Sequence, residues 1–345
     1  MIEEVLPGFF RVEIPLPNSP LKFLNSYVIR SLERNLIVDT GLNRKECLDA
    51  MQSGLQQLGV DLGNTDFFIT HLHADHFALL SKLVTPSSLV FFNRPETELI
   101  EASGWWERMI FYAAKNGFPE SELREAIRSH PGREFGSEWI PEISILQDGD
   151  EISAGDYCFR CVSTPGHSLG HTCLYEPNNR ILVAGDHILI DITPNIQCWT
   201  DDQNPLQNYL TSLDKVNEME IDLVLPGHRR LIPDLRRRIA ELKEHHKTRL
   251  EEVFSILANT QLTAFEVASR MTWDLDCDSW ESFPQAQKWF ATGEAIAHLR
   301  YLERERLIVR NERAGKSVYS FVRGGAAQKG TGGDKTWLTL SSRRQ

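Results

Sequence analysis

The densest group of potential metal ligands in the sequence is the run Thr70-His71-Leu72-His73-Ala74-Asp75-His76. It follows an apolar segment, 67–70, that predicts a strand, and it precedes a helical pattern. Imidazole and carboxylate groups strongly prefer water unless they are paired or bound to metal, so a protein core does not account for all four. A turn at a strand end can direct several of them to one point, and nitrogen and oxygen ligands suit zinc, iron or manganese. The run therefore predicts a metal site.

Four further ligand candidates stand where other predicted strands end. In chain order they are Asp39, His167, Asp186 and His228. Each is weak evidence on its own, because Pro-Gly-His and Gly-Asp are common turn sequences. Taken together with the run at 71–76, and in this order, they form a specific pattern.

These five motifs resemble those of the metallo-β-lactamase superfamily of hydrolases, over about residues 5–235. The resemblance implies an α+β fold, the αββα sandwich, with metals at one edge between two sheets. Asp39 would lie behind the ligands and orient one of them. The resemblance also implies a ligand set: His71, His73 and His167 for a first metal, Asp75, His76 and His228 for a second, and Asp186 bridging both.

The ligand types also bear on the reaction. Lactamases that hydrolyse antibiotics typically carry cysteine near the position of Asp186, so the resemblance is closer to the glyoxalase II-like branch, which cleaves thioesters and other esters. It implies a dinuclear hydrolase in which a metal-bridging hydroxide attacks a small thioester, ester or lactone carbonyl. The cofactors would be two divalent metal ions, zinc first, with iron and manganese as alternatives. Asp75, as the catalytic residue, would accept a hydrogen bond from the nucleophile as well as bind metal.

The remaining histidines have simpler expectations. His171 is expected to be a hydrogen-bond partner behind a ligand, with a structural histidine bonded to the backbone as the alternative. His187, next to Asp186, either points into the substrate cleft or packs beneath it. His245 and His246 fall in a charged helical pattern, which predicts a solvated face.

Other functions fit parts of the pattern. A persulfide dioxygenase shares most of these motifs and is expected to hold one iron with the histidines of His-x-His and the later histidine. A nucleic-acid-processing hydrolase would use the C-terminal region, where helices followed by a hairpin pattern resemble a winged helix. The expected recognition helix there, 292–305, carries three glutamates against two arginines, whereas phosphate contact favours a surplus of basic residues. We therefore expect a small-molecule substrate and no nucleic-acid partner. The complete ligand set also argues against a non-enzymatic relative.

The elements that must position these side chains follow from the hydrophobic pattern. Short apolar strands alternate with turns and helices over residues 1–240, the predicted catalytic domain. Residues 95–130 interrupt it as a helical insertion of two helices, 95–116 and 119–130. Residues 241–323 follow as a helical linker and a winged-helix-like domain, in which Thr263 and Thr292 are expected to cap helices. Residues 324–345 are predicted to be a disordered tail.

Composition limits the classes of protein further. The 345 residues are 41% hydrophobic and 25% charged, with a net charge of −11, which is ordinary for a globular protein and excludes wholesale disorder. Six cysteines are too few for a disulfide scaffold in a chain of this length. No apolar stretch approaches the length of a membrane span, and the start lacks a secretory signal, so we expect a cytoplasmic protein with no membrane association. Family precedent and the appended domain favour a homodimer.

Overall fold

The computed structural model describes residues 1–322 except 103, 138, 275 and 276. The predicted tail, 324–345, lies outside the described residues. Twelve of the described strands form two large sheets laid face to face, with helices on both outer surfaces. This is the αββα sandwich implied by the ligand motifs, so the predicted α+β fold class is confirmed.

The first sheet has seven strands in sequence order. Strands β1 to β4 form antiparallel pairs, and β4 to β7 run parallel to one another. Every residue of β4 and β5 is buried, as expected for central strands covered on both faces. The bounds are β1 (Ile2–Leu6), β2 (Phe9–Pro15), β3 (Phe23–Ile29), β4 (Asn35–Val38), β5 (Thr65–Phe68), β6 (Val90–Asn93) and β7 (Ser144–Leu146).

The second sheet has five strands: β8 (Glu151–Ala154), β9 (Tyr157–Ser163), β10 (Thr172–Glu176), β11 (Ile181–Gly185) and β12 (Leu223–Pro226). They are antiparallel except for β11 and β12, which run parallel. A parallel pair needs a long crossover, and this connection contains helix α8 (Pro205–Asn217). Side chains from the facing surfaces, including Phe9, Phe68, Phe159 and Leu225, form the buried layer between the sheets.

Helices cover both outer faces. Three pack on the first sheet: α1 (Lys45–Leu58), α2 (Ala74–Phe77) and α3 (Leu80–Leu83). The last two account for the helical pattern predicted after the ligand run, and α2 begins within that run, at Ala74. Helix α8 and the long helix α9 (Leu235–Ile256) pack on the other side, next to the second sheet.

The insertion is helical, but its first helix is divided. The prediction of one helix over 95–116 is wrong, because Gly104 adopts a φ of 73° at the start of the second piece. Glycine takes this left-handed conformation at little cost, so it permits a change of direction there. The insertion contains α4 (Arg94–Glu101), α5 (Trp105–Lys115), α6 (Glu120–Arg128) and α7 (Pro131–Glu134).

The C-terminal region contains α10 (Ala264–Ala268), α11 (Gln285–Arg304) and a hairpin of β13 (Ile308–Arg313) and β14 (Lys316–Phe321). Thr263 caps α10 in a capping box with Glu266, as predicted. The cap predicted at Thr292 is wrong, because α11 begins at Gln285. The Thr292 hydroxyl instead donates to the carbonyl of Lys288, a bond that threonine can make inside a helix.

The C-terminal region shares one hydrophobic core with the helices over the second sheet. A single buried cluster includes Met109 of α5, Tyr209 of α8, Leu242 of α9 and Trp289 of α11. The domain boundaries at 240 and 323 and the winged-helix assignment stay predictions. Among the described residues, no helix combines the length and the apolar character that crossing a membrane requires.

Candidate metal centre

The seven predicted ligands lie in connections that leave the two sheets at one edge. Four of them, at positions 71, 73, 75 and 76, follow β5 and continue into α2. The other three follow strands of the second sheet: His167 comes after β9, Asp186 after β11 and His228 after β12. The two sheets thus contribute to one site.

Hydrogen bonds hold the sheets together at this edge. The side-chain amide of Asn25 in β3 donates to the carbonyls of Pro226 and Arg229, at 2.9 and 2.8 Å. The Tyr27 hydroxyl also donates to the carbonyl of Pro226, at 2.8 Å. These bonds fix the loop that carries His228 against the first sheet.

The first group of side chains consists of His71, His73, His167 and Asp186, whose ligand atoms all lie within 4.8 Å of one another. The Nε2 atoms of His71 and His167 each lie 2.9 Å from Nδ1 of His73. Three ring nitrogens, contributed by both sheets, therefore converge on one point.

The second group consists of Asp75, His76 and His228. Nε2 of His228 lies 3.3 Å from Nε2 of His76 and 3.3 Å from Oδ2 of Asp75. Both histidine side chains are fully buried, whereas the side chain of Asp75 is 19% exposed. Asp75 is thus the ligand of this group that solvent can reach.

Asp186 lies between the two groups. Its Oδ2 is 3.5 Å from Nε2 of His167, and its Oδ1 is 3.5 Å from Nε2 of both His76 and His228. Oδ1 is buried and accepts no hydrogen bond within the described part of the chain. A side chain at Gly227 would fill this space, since a Cβ there would lie 2.7 Å from Oδ1. A buried carboxylate oxygen without a donor is an anionic ligand that fits a cation.

The hydrogen bonds of the rings leave nitrogen lone pairs free at the centre. Nδ1 of His167 donates to the carbonyl of Asn195 at 2.9 Å, and Nδ1 of His228 donates to that of Phe23 at 2.8 Å. Since a carbonyl only accepts, the proton of each ring in its neutral form sits on Nδ1, and the lone pair of Nε2 then faces inward. This is the tautomer that a divalent metal requires of its ligands.

Asp39 and Thr70 set the tautomers of His76 and His71. Nδ1 of His76 lies 2.7 Å from Oδ2 of Asp39. The Thr70 hydroxyl donates to the same oxygen at 2.9 Å and lies 3.0 Å from Nδ1 of His71, from which it can accept. Asp39 therefore lies behind the ligands, in contact with one of them.

The pKa values divide the centre into two parts. Burial, reinforced by neighbouring histidines, lowers the pKa of His71 well below its usual value and that of His73 to about 3. Burial also lowers the pKa of His167. These rings are therefore neutral near pH 7 and ready to bind a cation.

Carboxylates dominate the second group. Burial alone would lower the pKa of His228, but Asp186 and Asp75 outweigh it and raise that pKa to about 10. Burial would raise the pKa of Asp75, but His76 and His228 hold it below its usual value. A cation entering this group must therefore displace a proton from histidine.

Comparison with known proteins supports what the geometry indicates. The family model described as the metallo-beta-lactamase superfamily matches residues 20–228, which include all seven ligand candidates.

The chain belongs to the metallo-β-lactamase superfamily.

Relatives in this superfamily cover most of the chain. It is 24% identical over 291 residues to the "Probable metallo-hydrolase YqjP" of Bacillus subtilis, spanning 79% of this chain and 85% of that protein. It is 27% identical over 219 residues to the human "Acyl-coenzyme A thioesterase MBLAC2", spanning 59% of this chain and 72% of that protein. The crystal structure of a metallo-beta-lactamase family protein from Thermus thermophilus matches with a TM-score of 0.77 at 27% identity, covering 92% of this chain and 100% of that one.

Two histidines of this metallo-β-lactamase fold lie close to the ligands without belonging to either group. Nδ1 of His171 lies 2.8 Å from the Thr164 hydroxyl, and its Nε2 accepts from the backbone N–H of Asp186 at 3.1 Å. It is thus placed behind a ligand. His187 is fully buried with no hydrogen-bond partner for either ring nitrogen in the described structure, and burial lowers its pKa to about 3. Its ring packs edge-on against that of Tyr209.

The solvated face predicted for His246 is wrong. Its ring is buried between α9 and α11, with Nδ1 3.3 Å from Nε2 of His298. The charged residues around His246 in the sequence lie on other faces of α9. The face that carries His246 packs against α11 and is therefore shielded from solvent. His245, its neighbour, is half-buried.

Glu96 supports the centre although no sequence pattern singles it out. Its buried carboxylate accepts from the backbone N–H of Leu72 at 2.7 Å and from that of Gly170 at 2.9 Å. It therefore ties the loop of His71 and His73 to the loop of His167 and His171. In the sequence Glu96 is one more acidic residue at the start of a helix, and its burial depends on contacts across the fold.

Proposed function

We propose that this metallo-β-lactamase fold protein is a hydrolase that binds two divalent metal ions, zinc first among them, and cleaves a small thioester or ester. The observation that carries the proposal is the carboxylate of Asp186, whose two oxygens face the two groups of ligands. A single ion would need only one of these two groups and one oxygen of Asp186. Ligands on both sides support two ions.

In this proposal the first ion is bound by His71, His73 and His167, the second by Asp75, His76 and His228, and both by Asp186. Metal ions held there would lower the pKa of a bound water and polarise the substrate carbonyl. Asp75 is the carboxylate of the second group, and solvent reaches its side chain. Because a bound cation favours the ionised form of a neighbouring carboxylate, Asp75 would remain ionised there and could accept a hydrogen bond from the attacking water.

The thioester class is supported by a relative rather than by the ligands. MBLAC2, a relative at 27% identity, carries the name acyl-coenzyme A thioesterase. The ligand set itself is equally suited to thioesters and oxygen esters, because both present a carbonyl to the same centre. The leaving group is therefore the feature that a substrate panel must identify.

The C-terminal region supports a small-molecule substrate over nucleic acid. Helix α11, the expected recognition helix, is buried along most of its length. Arg300 lies 2.6 Å from Glu303, and Arg249 of α9 contacts Glu294. Basic groups engaged inside the protein are not available for phosphate contacts.

The test is a hydrolysis panel on zinc-loaded protein with measured metal content. Acyl-glutathione, acyl-coenzyme A, aryl esters and lactones are compared for wild type, Asp75→Ala and Asp191→Ala. Asp191 is an exposed carboxylate paired with Arg230 at 2.9 Å and belongs to neither ligand group, so it is the matched control.

We expect two zinc ions per chain, turnover of one substrate class, and a loss of about 100-fold or more in Asp75→Ala alone, in line with the effect of removing a general base. A single iron per chain in the protein as purified, with oxygen consumption on a persulfide, would contradict the hydrolase and favour the dioxygenase. Equal activity in wild type and Asp75→Ala would contradict the role of Asp75.

A further inference from the structure

We infer that helix α11 of the C-terminal region positions the metal-binding ring of His167, with Gly293 and Trp289 as the positioning residues. The connection between them is the segment 195–199, called here the clamp segment. The inference rests on the proposed function in one respect: it takes His167 as a metal ligand.

The clamp segment begins at the hydrogen bond that orients His167. Nδ1 of His167 donates to the carbonyl of Asn195 at 2.9 Å. His167 lies in a loop between β9 and β10, so no helix or strand fixes the direction of its ring. The position of the Asn195 carbonyl therefore determines where Nε2 of His167 points.

Helix α11 holds the other end of the clamp segment. The backbone N–H of Cys198 donates to the carbonyl of Gly293 at 3.1 Å. The indole of Trp199 stacks on that of Trp289, with ring centroids 4.1 Å apart and an angle of 21° between planes. Both rings are buried. Stacking of two large buried rings leaves the segment little freedom to shift.

Gly293 is required by this close approach. It lies inside the twenty-residue helix α11, where glycine is less favourable than alanine by about 1 kcal/mol. A Cβ at this position would lie 2.8 Å from Cζ2 of Trp199 and 3.0 Å from Oε1 of Gln197. The clamp segment can therefore rest on α11 only because residue 293 has no side chain.

Helix α9, which follows β12 in the chain, makes a second contact, and this one holds the chain between Asp186 and the clamp segment. Arg238 of α9 donates from Nε to the carbonyl of Leu189 at 2.6 Å and from a terminal nitrogen to that of Ile192 at 2.8 Å. The chain from Asp186 to Trp199 is thus fixed from outside by α9 and α11. This gives the C-terminal region a role in the metal centre.

The test is Gly293→Ala, with Gly54→Ala as its matched control. Gly54 also lies inside a helix, and a Cβ there would lie 2.9 Å from Cγ1 of Val12, but it is on the far side of the first sheet. Zinc affinity is measured by competition with a chelating dye, beside thermal unfolding and the separate values of kcat and KM for the substrate found in the panel.

We expect Gly293→Ala to weaken the binding of one zinc ion by about 10-fold or more, as losses behind a ligating histidine do, and to leave the other ion bound. We expect kcat to fall more than KM rises, and Gly54→Ala to match wild type in zinc affinity.

Three outcomes separate the inference from the proposed function. If His167→Ala binds both zinc ions as wild type does, the proposed metal centre is wrong. If His167→Ala loses an ion but Gly293→Ala binds zinc as wild type does, the centre stands and the positioning role is overturned. If Gly293→Ala does not fold, Trp289→Phe replaces it, and unchanged zinc affinity in a folded Trp289→Phe protein overturns the positioning role.

Discussion

Nδ1 of His76 lies 2.7 Å from Oδ2 of Asp39, and both side chains are almost completely buried. The other oxygen of Asp39 accepts from the backbone N–H of Thr70 at 2.8 Å. One carboxylate thus fixes a ring of the second ligand group and the chain just before His71. Both groups depend on a residue that belongs to neither.

The variant Asp39→Asn tests this dependence without disturbing the backbone. Asp39 has a φ of 60°, a left-handed conformation that asparagine tolerates better than other side chains with a Cβ. An amide cannot accept on both sides, so the contact with either His76 or Thr70 is lost. We expect zinc affinity to fall about 10- to 100-fold with the fold retained, measured by chelator competition and circular dichroism.

Asp66→Asn is the control for that experiment. Asp66 is also buried at a strand of the first sheet, where it binds Arg34 at 2.6 Å and the backbone N–H of Leu89 at 2.8 Å, away from the ligands. Its loss should lower stability and leave zinc affinity unchanged. Equal zinc affinity in Asp39→Asn and wild type would contradict the orienting role of Asp39.

The sequence predicts most of the fold and the convergence of the ligand candidates because both depend on local patterns. Short apolar runs ending in a polar residue are visible residue by residue, and strands that run in the same direction within a sheet end at a common edge. The loop at 71–76 and the strand ends before Asp186 and His228 lie where these patterns place them.

What the sequence does not predict depends on contacts between distant segments. Thr292 looks like a helix cap, yet α11 starts seven residues earlier. A threonine is tolerated inside the helix because its hydroxyl can donate to a carbonyl of the preceding turn. His246 lies among charged residues, yet α11 packs over its face of α9. Glu96 has no local signal, since its two backbone donors come from loops on either side of it.

Glu96→Gln is expected to loosen both loops of the first ligand group. Burial raises the pKa of Glu96, while bonds from Gly170 and Leu72 favour its ionised form. Glutamine has the same shape but only one acceptor oxygen, so one buried N–H loses its partner, at a cost of about 1–3 kcal/mol. Urea unfolding should show this loss, and zinc bound by the first group should dissociate faster.

Asn93→Ala is a useful comparison, because Asn93 caps the helix that carries Glu96. Oδ1 of Asn93 accepts from the backbone N–H of Glu96 at 2.9 Å. Removing a cap costs about 1 kcal/mol, similar to the lower bound for Glu96→Gln. If both variants lose stability but only Glu96→Gln releases zinc faster, the carboxylate holds the loops. Identical zinc release in the two variants would show that the helix, and not the carboxylate, is responsible.

His298 provides a prediction about pH that does not involve the ligands. Its Nδ1 donates to the carbonyl of Glu294 at 2.8 Å, and its Nε2 lies 3.3 Å from Nδ1 of His246. Burial lowers the pKa of His298 to about 3, with Arg249 adding to the effect. The folded protein therefore keeps this ring neutral at pH values where the unfolded chain, with an ordinary histidine pKa of about 6.5, takes up a proton.

The sign of the effect follows from proton binding. Between about pH 6.5 and pH 3 the unfolded state binds the proton and the folded state does not, so the free energy of unfolding falls as the pH is lowered through this range. For one histidine the loss between about pH 7.5 and pH 5.5 is about 1.4 kcal/mol. The variant His298→Gln cannot titrate there, so its free energy of unfolding should fall by about 1.4 kcal/mol less than that of wild type over the same interval.

Urea unfolding of zinc-loaded wild type and His298→Gln at the two pH values measures this difference. The ligand histidines contribute equally to both proteins, so their own titration cancels in the comparison. His245→Gln is the control, because His245 is only half-buried and its neutral form is less strongly favoured. It should reduce the pH dependence by less than His298→Gln does. If the free energy of unfolding depends on pH equally in wild type and His298→Gln, the buried pair of His246 and His298 takes up its proton without unfolding.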